Sequence, residues 1–399
     1  MRLVHLSDLH LGYRQYQRLT PGGINQREAD VALAFKRAID AVIALGPDLV
    51  VVAGDVFHTV RPTNPAILHA FQQFARLRSA LPEAIVVVVA GNHDTPRAAE
   101  TGCILRLFAP LGMQVVDASP ERLSFPDRQL SILAVPDAAI GQLALTPDPG
   151  ARYNVLVLHG EVQGTLPGVA GADRATVEIT PEELGADRWT YVALGHYHVY
   201  RRIAPNAYYS GSLEYTSTNP WGELVEEREE GIPGKGIIEH DLATGAHRFH
   251  PVEAPRALVD LPSLSARGMM AAELDARIQE LVAGCEGGID GKIVRVLVRD
   301  IPRHILRELD HRALRDFRRR ALHFQLDTRR PEMIRLHGRG APGRRPSLAE
   351  IVRDKLHERS LEPDIDRLAL VDLGLRYLAE AEALSAAAVA MEGQGGAEV

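Results

Sequence analysis

The sequence predicts an α/β protein: a two-sheet sandwich flanked by helices, then a small α/β cap and a pair of C-terminal helices. Three observations predict it. Residues 1–135 alternate short apolar runs with helical stretches. From about Val115 to His250 the pattern shifts to short strands. Beyond Pro251–Pro255 a smaller β-α-β unit leads into a basic helical stretch. Alternation of this kind builds layers of helix on sheet.

Leu3–Leu6 reads as the first strand. Arg27–Leu45 carries Val31, Ala34, Phe35, Ala38, Ile39 and Val42 at the i, i+3, i+4, i+7 spacing of an amphipathic helix. Gly46-Pro47 stops it. Leu49–Ala53 is a continuous apolar run, the pattern of a strand buried on both faces. A second helix over Pro65–Ala80 and a strand over Ala84–Ala90 follow. Leu130–Val135, Val155–His159, Tyr191–Leu194, Tyr208–Ser210 and Gly236–His240 are the later strands. In the cap, Ala257–Leu261 and Lys292–Val298 are strands, Ala271–Ala283 is a helix, and Arg303–Ala321 is one basic helical stretch.

The predicted boundaries are 1–252 for the main domain, 253–337 for the cap and 338–346 for a Gly/Pro/Arg linker. Helices are expected over 347–384, opened by a capping box of Ser347 and Glu350. The small-residue tail 385–399 is expected to be disordered.

At 399 residues the chain exceeds one compact core, and 46% hydrophobic with 24% charged residues is the balance of a soluble globular protein. No apolar run is long enough for a membrane span. The first residues lack a signal peptide's apolar region. Two distant cysteines, Cys103 and Cys285, exclude a disulfide framework and suit a reducing cytoplasm. The net charge of −7 is unevenly spread: Lys292 to Arg345 holds 16 basic and 6 acidic residues, leaving −17 for the rest. Such segregation points to a polyanionic partner more than the total argues against one.

Five motifs punctuate the apolar runs: Asp8-Leu9-His10, Gly54-Asp55, Gly91-Asn92-His93-Asp94, His159-Gly160 and Gly195-His196-Tyr197-His198. Asp8 and His10 share a face in extended backbone. The others sit at strand ends, where open α/β sheets bind ligands. Two Asp, one Asn and several His are the donors two divalent ions need to hydrolyse a phosphodiester. This mixed nitrogen and oxygen set suits Mn, Fe or Zn better than Ca or Mg. His5 and His69 lack such context and are expected to be structural or solvent-facing.

These motifs resemble the calcineurin-like metallophosphoesterase superfamily. The runs His5–Gly12, Gln26–Glu28, Gly54–His58 with Arg61-Pro62, Gly91–Asp94, Tyr209–Glu214 and Gly234–Gly236 resemble more closely the SbcD-type DNA double-strand-break repair nucleases. The likeness is specific over about residues 1–240, architectural across the cap and weak in the last fifty residues. It implies one metal held by Asp8, His10, Asp55 and His198, and a second held by Asp55, Asn92, His159 and His196. Asp55 would bridge two divalent ions, manganese being favoured. A metal-bound hydroxide would attack phosphorus while His93 assists the leaving group. Asp94 would orient His93, and His58 would contact the phosphate. Many bacterial relatives carry Asp at the position of His58, which aligns this chain with the archaeal type.

The implied activity is double-strand exonuclease and single-strand endonuclease in a DNA repair complex, on duplex ends, single strands and hairpins. Arg312, Arg315, Arg318 and Arg319 are the candidate phosphate contacts of the cap, alongside Tyr13, Arg14 and Tyr16 beyond the first motif. Ordinary loop packing and a solvated helix face are the competing readings of these residues. The resemblance also implies an SbcC-type coiled-coil ATPase on the C-terminal helices, where Leu348, Ile351, Val352 and Leu356 form one stripe and Leu368, Val371, Leu375 and Leu378 another. A homodimer through Pro65–Ala80 and Thr101–Phe108 is implied as well. Two rivals stay open: a phosphoesterase for small or non-DNA substrates, and a non-catalytic DNA-end tether.

Overall fold

The computed structural model describes residues 1–96, 102–141, 143–164, 178–331, 347–358 and 366–392. The chain divides into two compact units, Met1–Pro331 and Glu332–Val399.

In chain order the first unit begins β1 (Arg2–Leu6), α1 (Gln26–Leu45), β2 (Leu49–Ala53), α2 (Asn64–Ala80) and β3 (Ile85–Val89). A 3₁₀ segment, Ile104–Leu111, precedes β4 (Gln114–Val116), β5 (Glu121–Phe125), β6 (Leu130–Val135), β7 (Tyr153–His159), β8 (Glu161–Val162) and β9 (Glu178–Ile179). Then come α3 (Pro181–Leu184), β10 (Tyr191–Gly195), β11 (Arg201–Ala204), β12 (Ala207–Tyr209), α4 (Pro220–Glu229), β13 (Gly236–Asp241) and β14 (His247–Pro251). The cap is β15 (Leu258–Ser265), α5 (Ala271–Ala283), β16 (Ile293–Arg299), α6 (Arg303–Glu308), α7 (His311–Arg320) and β17 (His323–Thr328).

One sheet runs β14-β13-β1-β2-β3-β4 and the other β11-β12-β10-β7-β6-β5. β1, β2 and β3 are parallel, as are β6, β7, β10 and β12. The parallel strands therefore end together at one edge of each sheet. Strand alternation divides the cores: Leu49, Val51 and Ala53 of β2 face the other sheet, while Val50 and Val52 face the helices. Both faces are covered, which is why the run is apolar throughout.

Local signals set the helix ends. Asn25 caps α1, its side chain accepting from the amides of Arg27 and Glu28, and Gly46 closes it at φ 57°. α1 then buries Val31, Phe35, Ile39 and Val42 with Phe74 and Leu77 of α2.

The cap has its own core, with Leu274, Ile278, Val282, Val294, Val296, Phe317 and Phe324 among its members. Its sheet has a third strand, β17, which the sequence reading missed although Phe324 and Leu326 alternate with polar neighbours. The single basic helix expected over Arg303–Ala321 is two, α6 and α7. Asp310 breaks it by accepting from the amides of Arg312 and Ala313 at 2.8 and 3.1 Å, so that a new helix starts there.

The second unit holds α8 (Leu348–Glu358) and α9 (Arg367–Glu392). Ser347 and Glu350 form the expected reciprocal cap, with the Glu350 amide 3.2 Å from Ser347 Oγ. α9 continues past Leu384 to Glu392, where order was not expected; alanines dominate that stretch, and alanine is the strongest helix former. The linker 338–346 and residues 393–399 lie outside the described residues. Among the described residues, no helix is long and apolar enough to cross a membrane.

Candidate metal centre

The five motifs meet at the strand ends of the two sheets. The loop after β1 is laced to the loop after β2. The amides of Asp8, His10 and Leu11 donate to the carbonyls of Gly54, Asp55 and Val56 at 2.9–3.0 Å, and the His58 amide returns to Leu11. Four predicted ligands take backbone conformations that L-residues rarely adopt: Asp8 at φ 53°, His10 at 45°, Asp55 at 51° and His196 at 102°. Strain of this kind persists where the surroundings over-determine a functional geometry.

Asp55 lies at the middle. Its Oδ2 is 3.7 Å from His10 Nε2 and 3.4 Å from His159 Nε2, while its Oδ1 accepts from the His93 amide at 2.9 Å. On one side His10 Nε2 faces His198 Nε2 at 3.0 Å. On the other, His159 Nε2 faces Asn92 Oδ1 at 3.0 Å, and the His196 ring is 5.5 Å from that of His159. Asp8 shares donor-atom neighbourhoods with both sides: with His10 and His198, and with Asp55 and His159. Its carboxylate also accepts from the His196 amide at 3.0 Å and from Ser7 Oγ at 2.5 Å. Asp8, His10, Asp55 and His159 are buried; Asn92, His93, His196 and His198 are half-buried.

The donor chemistry fits two cations. His159 Nδ1 donates to the Ala53 carbonyl at 2.9 Å, which turns the Nε2 lone pair toward Asp55 and Asn92. Burial would lower the His159 imidazole, but the Asp55 and Asp8 charges raise it to about 10, so the fold favours positive charge at this spot. Burial would likewise raise Asp55, yet His159, His10 and His93 hold its carboxyl well below the usual range. His10 and His198 turn ring nitrogens toward each other, as two ligands of one ion would.

His58 and His93 stand beside this set. Their rings stack at 5.2 Å, and His58, His93 and His10 offer nitrogens within 4.8 Å of one another. His93 Nδ1 donates to the His58 carbonyl at 2.7 Å, which fixes the orientation of the ring.

Asp94 departs from expectation. Its carboxylate accepts from the amides of Val56, Phe57 and Gly91 at 2.9–3.1 Å, stapling two ligand loops together. Burial and then the Asp55 charge push its pKa up to about 7. Tyr13 also departs: it is 5% exposed, donates to Gln15 and meets the His58 ring edge-on at 4.9 Å. It supports His58 from the protein side. Arg14 pairs with Glu28, and Tyr16 stacks on His323 of the cap. Arg312, Arg315, Arg318 and Arg319 lie exposed on α7, Arg319 paired with Asp316 at 2.5 Å. His5 is fully buried.

The sequence reading missed the groups behind His198. Glu223 Oε1 lies 3.6 Å from His198 Nδ1, and Lys235 pairs with both Glu223 and Glu227. Burial would raise the Glu223 carboxyl, but Lys235 and His198 bring it down to about 2. No local motif marks Glu223.

Close approach requires glycine at several positions around the site, Gly91 and Gly195 among them. A Cβ on Gly91 would run into Asp55, and one on Gly195 into the Ala53 carbonyl and to 2.8 Å from His159 Nδ1. Replacing Gly195 by Ala should therefore lower stability by roughly 1–3 kcal/mol, as overpacking does, and weaken Mn²⁺ binding at the same time. Urea denaturation with and without Mn²⁺ would check both, and a variant matching wild type in each would refute the close approach.

The calcineurin-like phosphoesterase profile matches residues 1–225, more than half of the chain. The chain is similar to the DNA double-strand break repair protein Mre11 of Methanocaldococcus jannaschii, at 27% identity over 61% of this chain and 63% of that protein. It is also similar to proteins of the same name from Sulfurisphaera tokodaii, at 30% over 50% and 49%, and from Thermoplasma acidophilum, at 27% over 61% and 62%. The chain thus spans about half to six-tenths of the length of these relatives. With its ligand loops at the strand ends of both sheets, the chain belongs to the calcineurin-like phosphoesterase family.

Proposed function

We propose that the protein is a two-metal-dependent DNA nuclease of a double-strand-break repair complex, acting on duplex ends and single strands. The observation that carries this reading is Asp55, set between His10 and His159 with its Oδ2 within 3.7 Å of both imidazoles. Two divalent ions, manganese favoured, would be held by Asp8, His10, Asp55 and His198, and by Asp55, Asn92, His159 and His196. Bound there, they supply an activated water and neutralise phosphoryl charge. The protein's own groups do the rest. Ala53 orients His159, and Asp8 and Asp55 set the charge that holds the ions. His93, fixed through Nδ1, carries at Nε2 the proton that the departing 3′ oxygen takes as its bond to phosphorus breaks. His58, its ring stacked beside His93, would contact the phosphate.

Repair as the setting is supported by the names of the relatives and by the basic cap. Arg312 and Arg315 on α7 are exposed and make no ion pair among the described residues. Exposed Leu33, Leu68 and Leu107 support a homodimer face. Leu348, Ile351, Leu368 and Tyr377 stay exposed on α8 and α9, which supports docking of a coiled-coil ATPase of the SbcC type. Two free cysteines are in keeping with a cytoplasmic setting.

The test is degradation of end-labelled duplex DNA with Mn²⁺ and with chelator, beside a small chromogenic phosphodiester. Metal-dependent duplex cleavage is expected. Reversing charge in Arg312→Glu with Arg315→Glu should weaken duplex binding and flatten its dependence on salt by about one log unit per lost phosphate contact, leaving the small diester unaffected. Hydrolysis of the small diester without duplex cleavage, even with the ATPase partner added, would overturn DNA as the substrate.

A further inference from the structure

Helix α4 has two working faces. Trp221 and Leu224 lie on one, and Glu223 and Glu227 on another. Residues two apart in a helix point to nearly opposite sides. On its first face Trp221 is buried against the cap: it clusters with Ile293 and Leu322, its indole N–H donates to Gln325 Oε1 at 3.1 Å, and the Arg295 guanidinium lies 4.8 Å over its ring. On the second face, Glu223 reaches to 3.6 Å from His198 Nδ1.

The second face is fixed from behind. Lys235 is 4% exposed, pairs with Glu223, lies 2.9 Å from Glu227 and donates to the His198 carbonyl at 2.8 Å. One ammonium thus holds both the backbone of His198 and the carboxylate that faces its ring. The same helix turn therefore carries the cap's aromatic contact and the carboxylate behind a metal ligand. A two-residue separation in a hydrogen-bonded helix leaves little slack between them.

We propose that α4 couples the seating of the cap to the metal centre: Glu223 is a positioning residue for His198, and Trp221 is the contact through which the cap sets it. The inference rests on the two-metal reading above. It predicts that disturbing the cap contact changes the affinity of one ion, the one on the His10–His198 side, and spares the other.

Mn²⁺ titration of the full chain, followed by the electron paramagnetic resonance of free Mn²⁺, tests it without recourse to activity. Wild type should bind two ions. Glu223→Ala should weaken one of them by roughly 10–100-fold, as loss of a carboxylate behind a ligating histidine does. Glu223→Gln, which keeps an acceptor for Nδ1, should fall between. Trp221→Ala should weaken the same ion, while Arg277→Ala, on the exposed surface of the cap, should change nothing. Where Trp221→Ala does not fold, Gln325→Ala removes the cap's half of the contact instead. Both Glu223 variants binding two ions as wild type does would overturn the inference. So would unchanged binding in the Trp221 or Gln325 variant while hydrogen exchange shows β15–β17 loosened. A folded wild type that binds no Mn²⁺ would instead overturn the two-metal reading, and this inference with it.

Discussion

Asp55→Asn should lower metal-dependent phosphodiester hydrolysis by at least about 10³-fold, some 4 kcal/mol of transition-state stabilisation. The substitution keeps the shape of the side chain and its acceptor for the His93 amide, 2.9 Å away. It removes the charge that lies between His10 and His159. On the proposed two-metal reading both ions would lose a ligand at once, so Mn²⁺ stoichiometry should fall together with turnover. His93→Ala provides the contrast. It should retain both ions and still lose roughly 10²–10⁴-fold in rate, because on the proposed reading only proton transfer to the leaving oxygen is removed. Activity on a small phosphodiester and Mn²⁺ counting, measured on the same samples, separate the two outcomes. An Asp55→Asn variant with wild-type turnover would remove the bridging carboxylate from the mechanism.

The second large effect is acid sensitivity. His5 is buried between the sheets, with Nδ1 at 3.1 Å from Tyr191 Oη. Burial holds its imidazole neutral, down to about 3. His240 and His247, close by, are likewise lowered to about 4. The unfolded chain takes up these protons near pH 6.5 and the folded chain does not. The stability they confer is therefore complete above that pH and is lost as the pH falls toward their folded values. For His5 the loss is about 1.4 kcal/mol per pH unit. Urea denaturation of metal-free protein at about pH 7, 5.5 and 4.5, beside His5→Gln, isolates the term. Wild type should lose its stability relative to the variant at that slope below about pH 6. A gap that stays constant with pH would show that His5 is not held neutral.

Much of the architecture follows from local pattern. β2 and β6 match the apolar runs residue for residue, and α5 matches its periodicity, because burial on one or two faces writes itself into spacing. β17 was legible in the alternation of Phe324 and Leu326 but was masked by the arginines before it. The convergence of the five motifs was legible as well. Donor residues directly after apolar runs must emerge at strand ends, and parallel strands bring those ends to one edge.

What pattern could not supply is which atoms face which. Asp94 sits in a ligand motif, yet its carboxylate is spent on three backbone amides. Tyr13 follows a ligand motif, yet it is buried behind His58 rather than open to substrate. Glu223 carries no motif and the Gly234–Gly236 run gave Lys235 no role, yet both stand directly behind His198. These roles depend on side chains brought together across long stretches of chain. Motifs record the backbone's local needs, turns and strand ends, and so they name the residues of the centre. The orientation of each ligand, the strain at Asp8, His10, Asp55 and His196, and the link from cap to His198 through α4 arise only when distant segments pack. No local spacing encodes a contact between them.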